Sequence, residues 1–174
     1  VKKRKKFIKK NYWSSFIFQE TFKNQGHKNI NYNGVSISSK SIKKNNLFFA
    51  IKGKKTDGHK FVNQAIYKGA IKSFVNKKIN RYPEKKVVLV KNTLLSLNQL
   101  AKVTRENTMA KIIGITGSVG KTTLKNLISF SLKRYGNVYH SPHSYNNKFG
   151  VPLSVSNLKE YTKFGVFEIG MDKK

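Results

Sequence analysis

Residues 111–123 read Lys-Ile-Ile-Gly-Ile-Thr-Gly-Ser-Val-Gly-Lys-Thr-Thr, and they constrain the fold more than any other stretch of the chain. The isoleucines at 112, 113 and 115 suit a buried parallel strand. A glycine-bearing turn follows, and then Leu124, Leu127, Ile128 and Leu132 recur at helical spacing. Strand, turn and helix in this order build a phosphate-binding loop. Backbone N–H groups of residues 117–121 would wrap a nucleotide's phosphates, aided by the positive end of the helix. Lys121 would reach the β- and γ-phosphates, and the Thr122 hydroxyl would hold Mg²⁺. The general form of this loop carries a glycine five residues before the Gly-Lys pair, where this chain has Ile115. A strand-turn-helix corner holding Gly-Lys-Thr by chance is the plain alternative, and the flanking patterns weigh against it.

A length of 174 residues allows one domain or two small ones. The absence of cysteine excludes a disulfide framework and a thiolate metal site, and it fits a reducing cytoplasm, the location expected. No apolar run approaches the length of a membrane span. The opening Val1-Lys2-Lys3-Arg4-Lys5-Lys6 lacks the apolar stretch of a signal peptide and begins without methionine, so a piece of a longer reading frame is expected. The formal charge is +29, which by itself suggests a polyanion partner such as nucleic acid. The basic residues, however, are 32 lysines against 4 arginines, and 18 asparagines accompany them along the whole chain. Arginine is the usual reader of bases and phosphates. The charge therefore reads as compositional bias, and it argues against nucleic acid as the main partner. The basic cluster at 2–10 reads as a solvated terminus.

The expected fold class is α/β, in two parts. Residues 1–33 are basic and stay unassigned, although Trp13, Phe16, Ile17 and Phe18 suggest a short packed helix or strand. Residues 34–108 read as a small α/β domain. Strands are expected at 47–51, 71–75 and 87–90, with Pro83 in a turn. A helix is expected around Phe61, Val62, Ala65 and Ile66, and another from Leu94 to about Asn107. Residues 109–174 give strand, phosphate loop, helix, a strand at 137–140, an apolar segment at 151–158 and a strand at 164–169. That alternation is the start of a mostly parallel, doubly wound sheet. It is short for a complete nucleotide-binding domain, so an incomplete one is expected.

Two further groups carry chemistry. The apolar strand 164–167 ends in Glu168, and an acid at the carboxyl end of such a strand can face the loop and help to hold Mg²⁺. A solvated strand end is the alternative. Asn146 and Asn147 lie in a polar loop before Gly150, Val151 and Pro152. They could build a turn or bond nucleotide, substrate or metal-bound water. His143 beside Pro142 reads as an exposed loop residue, with a ligand or base role as the lesser reading.

The form Thr-Gly-Ser-x-Gly-Lys-Thr-Thr at 116–123 resembles the ATP site of the Mur ligases, in which Thr116-Gly117-Ser118 replaces the general glycine start. The Asn-Asn-x-x-Gly-x-Pro-Leu run at 146–153 and Glu168-Ile169-Gly170-Met171 resemble segments of the family branch that adds D-alanyl-D-alanine. Ser38-Ser39-Lys40, the stretch 47–61 and Asp57-Gly58-His59 resemble the family's N-terminal substrate domain. Here Ser38 stands for an aspartate, Lys40 for an arginine and Asn45-Asn46 for Gly-Asp; lysine cannot copy the planar fork of arginine. The likeness covers about residues 34–174.

The resemblance implies ATP-dependent amide-bond formation through an acyl phosphate. D-alanyl-D-alanine would be the amine and UDP-N-acetylmuramoyl-tripeptide the acceptor, with ATP and Mg²⁺ as cofactors. It implies nucleotide contacts from Thr116, Gly117, Ser118, Val119, Gly120, Lys121, Thr122, Thr123, Asn146 and Asn147. Lys121 and Glu168 would be catalytic, and Thr122 and Glu168 would hold the metal. Ser39, Lys40, Asp57, Gly58 and His59 would meet the UDP substrate. The later residues of the family's central domain and its C-terminal domain would be missing, so turnover by these residues unaided is not expected. A sibling ligase adding one amino acid, a basic nucleic-acid-binding module with an incidental loop, and an unrelated P-loop ATPase or kinase are the alternatives. The sequence carries no mark of an oligomeric state.

Overall fold

The computed structural model describes residues 13–23, 30–54, 56–79, 85–142 and 145–170. The basic cluster at 2–10, Pro83, His143, Ser144 and Met171 lie outside them. Two parallel sheets follow one another. The first holds β1 (Gly34–Ser36), β2 (Asn46–Phe49), β3 (Lys72–Val75) and β4 (Val87–Leu89) in sequential order, every pairing parallel. Strand side chains alternate between faces. Leu47, Phe49, Phe74 and Val88 therefore enter one core, with Ile17, Phe18 and Phe22 of α1 (Trp13–Phe22) and Leu97 and Leu100 of α3 (Thr93–Asn107). Phe48, Ala50 and Val75 enter another, against Val62 and Ala65 of α2 (Val62–Tyr67). The rings of Phe49 and Phe74 stack with centroids 4.3 Å apart. Burying a side chain of this size contributes about 1.5–3 kcal/mol.

The strands and helices expected between 47 and 107 all form. Trp13–Phe22, which the sequence admits as helix or strand, is a helix. β1 has no counterpart in the sequence reading; its three residues are too few to show a period. α3 starts where Asn92 accepts hydrogen bonds from the N–H groups of Leu94 and Leu95, an N-cap.

The second sheet has the order β5 (Lys111–Ile115), β7 (Phe164–Glu168), β6 (Val138–His140), again all parallel. α4 (Lys121–Leu132) follows β5, and α5 (Gly150–Ser156) precedes β7. Helical spacing in α4 stands, but its burial differs from what the leucine stripe suggests. Leu124, Leu127 and Phe130 are exposed, while Lys125 and Ser129 are buried. α5 returns to the first sheet, where Leu153 joins the core beside α3. Just past α5, Asn157 acts on the open edge of β1 as a short strand would. Its Oδ1 accepts from Val35 N–H at 2.9 Å and its Nδ2 donates to Val35 C=O at 3.0 Å. The Trp13 indole N–H also donates to Leu158 C=O. The two sheets are thus tied through α5 and the residues after it.

Candidate active site

The loop between β5 and α4 leaves the carboxyl end of the strand as a phosphate site requires. Gly117 has φ +145° and Gly120 has φ +76°, values that side-chain-bearing residues rarely adopt. Nothing lies within 4 Å of a Cβ placed on Gly120, so backbone conformation rather than space demands glycine there. Gly120 precedes the first turn of α4, and its carbonyl accepts from Leu124 N–H. Thr116, Ser118, Val119 and Gly120 are exposed, so the loop is open to a ligand. The Lys121 ammonium folds back over it, donating to the carbonyls of Gly117 (2.5 Å) and Ser118 (3.1 Å). Thr122 and Thr123 stand exposed in the first turn of α4.

Sheet register brings the acid to the loop. β5 and β7 run parallel with Ile115 opposite Glu168, so the last residue of β7 emerges beside the residue that enters the loop. Ile169 N–H then bonds Ile115 C=O at 2.8 Å. Glu168 is 1 % exposed and Lys125 is 2 % exposed, and Lys125 Nζ lies 2.8 Å from Glu168 Oε1. Burial pushes the Glu168 carboxyl up. Hydrogen bonds from Lys125 and Thr122, with the charges of Lys125 and Lys121, outweigh that and hold it below the usual carboxylate range. The Glu168 backbone N–H points to Ser141 Oγ at 3.4 Å.

The two amides lie at the same strand end. Gly170 N–H donates to Asn146 C=O at 2.7 Å, and a Cβ on Gly170 would meet that oxygen at 2.8 Å. Asn147 Oδ1 accepts from the N–H groups of Phe149 and Gly150, both at 3.0 Å, and so starts α5. Asn147 therefore builds the turn, one of the two uses its position allows. Lys125 and Ser141 are residues the sequence reading missed. The signal for Lys125 was present: it lies four residues after Lys121, on the same side of the helix.

The residues of the first domain gather at the carboxyl ends of its strands, the edge where open parallel sheets bind ligands. Ser39 is buried and its hydroxyl donates to Gln64 Oε1 at 2.6 Å, whereas Lys40 is exposed in the turn after β1. Asp57 accepts from His59 N–H, caps the 3-10 turn Gly58–Phe61 and takes the His59 Nδ1 contact at 2.6 Å. His59 Nε2 accepts from Asn76 N–H, and Lys77 Nζ bonds Asp57 Oδ2 at 3.0 Å. The backbone and side-chain bonds from His59, with Lys77, hold the Asp57 carboxyl well below its ordinary range. A Cβ on Gly58 would lie 2.7 Å from Ile51 N, so the chain requires glycine to make this close turn. Asp57, Gly58 and His59 thus pin the loop after β2 to the end of β3.

Comparison with known proteins finds a family match on each half of the chain. The Mur ligase family, catalytic domain, matches residues 31–106, and the Mur ligase middle domain matches residues 115–174. The UDP-N-acetylmuramoyl-tripeptide–D-alanyl-D-alanine ligase of Rickettsia prowazekii is 37% identical over 143 residues, which is 82% of this chain and 32% of that protein. A crystal structure of MurF from Acinetobacter baumannii superimposes with TM-score 0.76 at 27% identity, covering 93% of this chain and 36% of that one. MurF ligase from Thermotoga maritima, solved in complex with ADP, gives TM-score 0.66 at 30% identity, covering 81% and 33%. The chain spans about a third of the length of the relatives it matches. With both family domains matched in order, and the loop, acid and amides meeting at one sheet edge, the chain belongs to the Mur ligase family.

Proposed function

We propose that these residues form part of an ATP-dependent ligase that joins D-alanyl-D-alanine to UDP-N-acetylmuramoyl-tripeptide in peptidoglycan precursor synthesis. The observation that carries the reading is the Ile115–Glu168 register, which sets a buried carboxylate beside the phosphate loop and against Thr122. The names of the relatives supply the substrates.

The residues fit the cofactors. Glu168 and Thr122 offer hard oxygen donors side by side, the donor type Mg²⁺ takes. Bound Mg²⁺-ATP would supply an activated phosphoryl group to the acceptor carboxylate. Loop N–H groups of residues 117–121 align its phosphates, and Lys121 leaves the Gly117 and Ser118 carbonyls to meet them. Asn146 and Asn147 stand at the same edge to orient nucleotide or substrate. At the first sheet, exposed Lys40 suits the diphosphate of the UDP substrate, with Ser39, Asp57, Gly58 and His59 fixing the loops around it. Reliance on ATP fits a cytoplasmic reaction.

Calorimetric titration with UDP-N-acetylmuramoyl-tripeptide tests the reading. Binding should weaken about 10–100-fold in Lys40→Ala, the effect of one hydrogen-bonded charge. A folded chain that ignores this precursor and instead binds RNA with a steep salt dependence would contradict it.

A further inference from the structure

We propose that Lys125 is a positioning residue for the carboxylate of Glu168, an inference that rests on the nucleotide reading above. Lys125 lies one helical turn beyond Lys121, farther from the loop and on the side of α4 that faces the sheet. An apolar side chain is the stabilising choice at such a position, because taking both members of an ion pair out of water costs about as much as their attraction returns. Leucines are present in α4, yet Leu124 and Leu127 face outward while Lys125 is buried. Packing alone gives no reason for that exchange. Geometry does: Lys125 Nζ holds Oε1 of Glu168 at 2.8 Å, and Thr122 bonds the same carboxylate. Ser141 meets the backbone N–H of Glu168 from β6's end. The contacts from Lys125 and Thr122 hold the carboxylate against α4, and that from Ser141 holds its backbone. Lys121 is the loop's own cation and Lys125 the support behind the acid.

Groups that hold a metal ligand from behind typically change metal affinity 10–100-fold when removed. The test is binding of a fluorescent ATP analogue to the full chain while free Mg²⁺ is varied, with folding checked by circular dichroism. In Lys125→Met the Mg²⁺ concentration at half-saturation should rise about tenfold or more, while binding measured without Mg²⁺ stays within about twofold of native. Lys125→Gln keeps an N–H donor for Oε1 and should show a smaller rise. If the methionine variant does not fold, the glutamine variant carries the same comparison. An unchanged Mg²⁺ midpoint, or a parallel loss of binding with and without Mg²⁺, would overturn the proposal, the second result marking a purely structural role. If Lys121→Ala abolishes binding while Lys125 variants match native, the positioning role fails and the nucleotide reading stands. If the native chain binds no nucleotide, both fall.

Discussion

The first sheet and the second are built alike, all parallel and helix-flanked, but they bury different chemistry. The first is covered on both faces and filled by Leu47, Phe48, Phe49, Phe74 and the aromatic residues of α1. The second turns Lys125 and Ser129 inward from α4 and leaves Leu124, Leu127 and Phe130 in the open. Their acid–cation clusters differ in the same way. Asp57, His59 and Lys77 form a partly exposed set that fixes one loop, whereas Lys125 and Glu168 are both almost wholly buried at the loop's mouth. The first sheet is filled with apolar side chains; the second buries an ion pair at the carboxyl end of its strands, beside the loop after β5.

The contrast breaks if equivalent aromatic deletions have equal effects. Phe18→Ala, in the first core, should cost about 3–5 kcal/mol in a denaturant titration. Phe130→Ala, at a site 76 % exposed, should stay within about 0.5 kcal/mol of native. Equal losses would mean that the outer face of α4 is covered. A smaller effect is expected at the joint between the sheets. Asn157→Ala removes both bonds to Val35 and the bond from Nδ2 to Leu153 C=O, and should cost about 1–3 kcal/mol. No loss would show that α5 docks through its packing on α3 without help from Asn157.

Among the losses expected, the smallest that depends on pH belongs to Asp57. Its folded pKa is depressed, so its contribution to stability is present above the unfolded value of about 4 and is lost as pH falls toward the folded value. Asp57→Asn keeps a cap acceptor but loses the charge facing His59 and Lys77, and should therefore cost about 1 kcal/mol near neutral pH, the scale of a partly exposed ion pair. The gap from native should close as pH drops below about 4. A gap that persists in acid would assign the loss to packing rather than charge.

Much of this was legible in the sequence. The runs 47–51, 111–115 and 164–168 show strands because buried parallel strands are continuously apolar, and the glycines before Lys121 show the turn from β5 into α4. Glu168 was legible as a strand-end acid, although its pairing with Ile115 and its contact with Lys125 were not. Which face of α4 is buried was not legible from its apolar stripe, because Leu124 and Leu127 face outward and Lys125 takes the inner position. Nor was the Asn157 clamp on Val35, whose partners are 122 residues apart and leave no local pattern.

The central claim is that residues 116–123 and Glu168 form one nucleotide site. Calorimetry with Mg²⁺-ATP on the native chain and on Lys121→Ala tests it most directly. The account predicts binding by the native chain and a loss of about 10–100-fold or more in the variant, as expected for removing a charged hydrogen-bond donor. Equal affinity in the two folded proteins would contradict it.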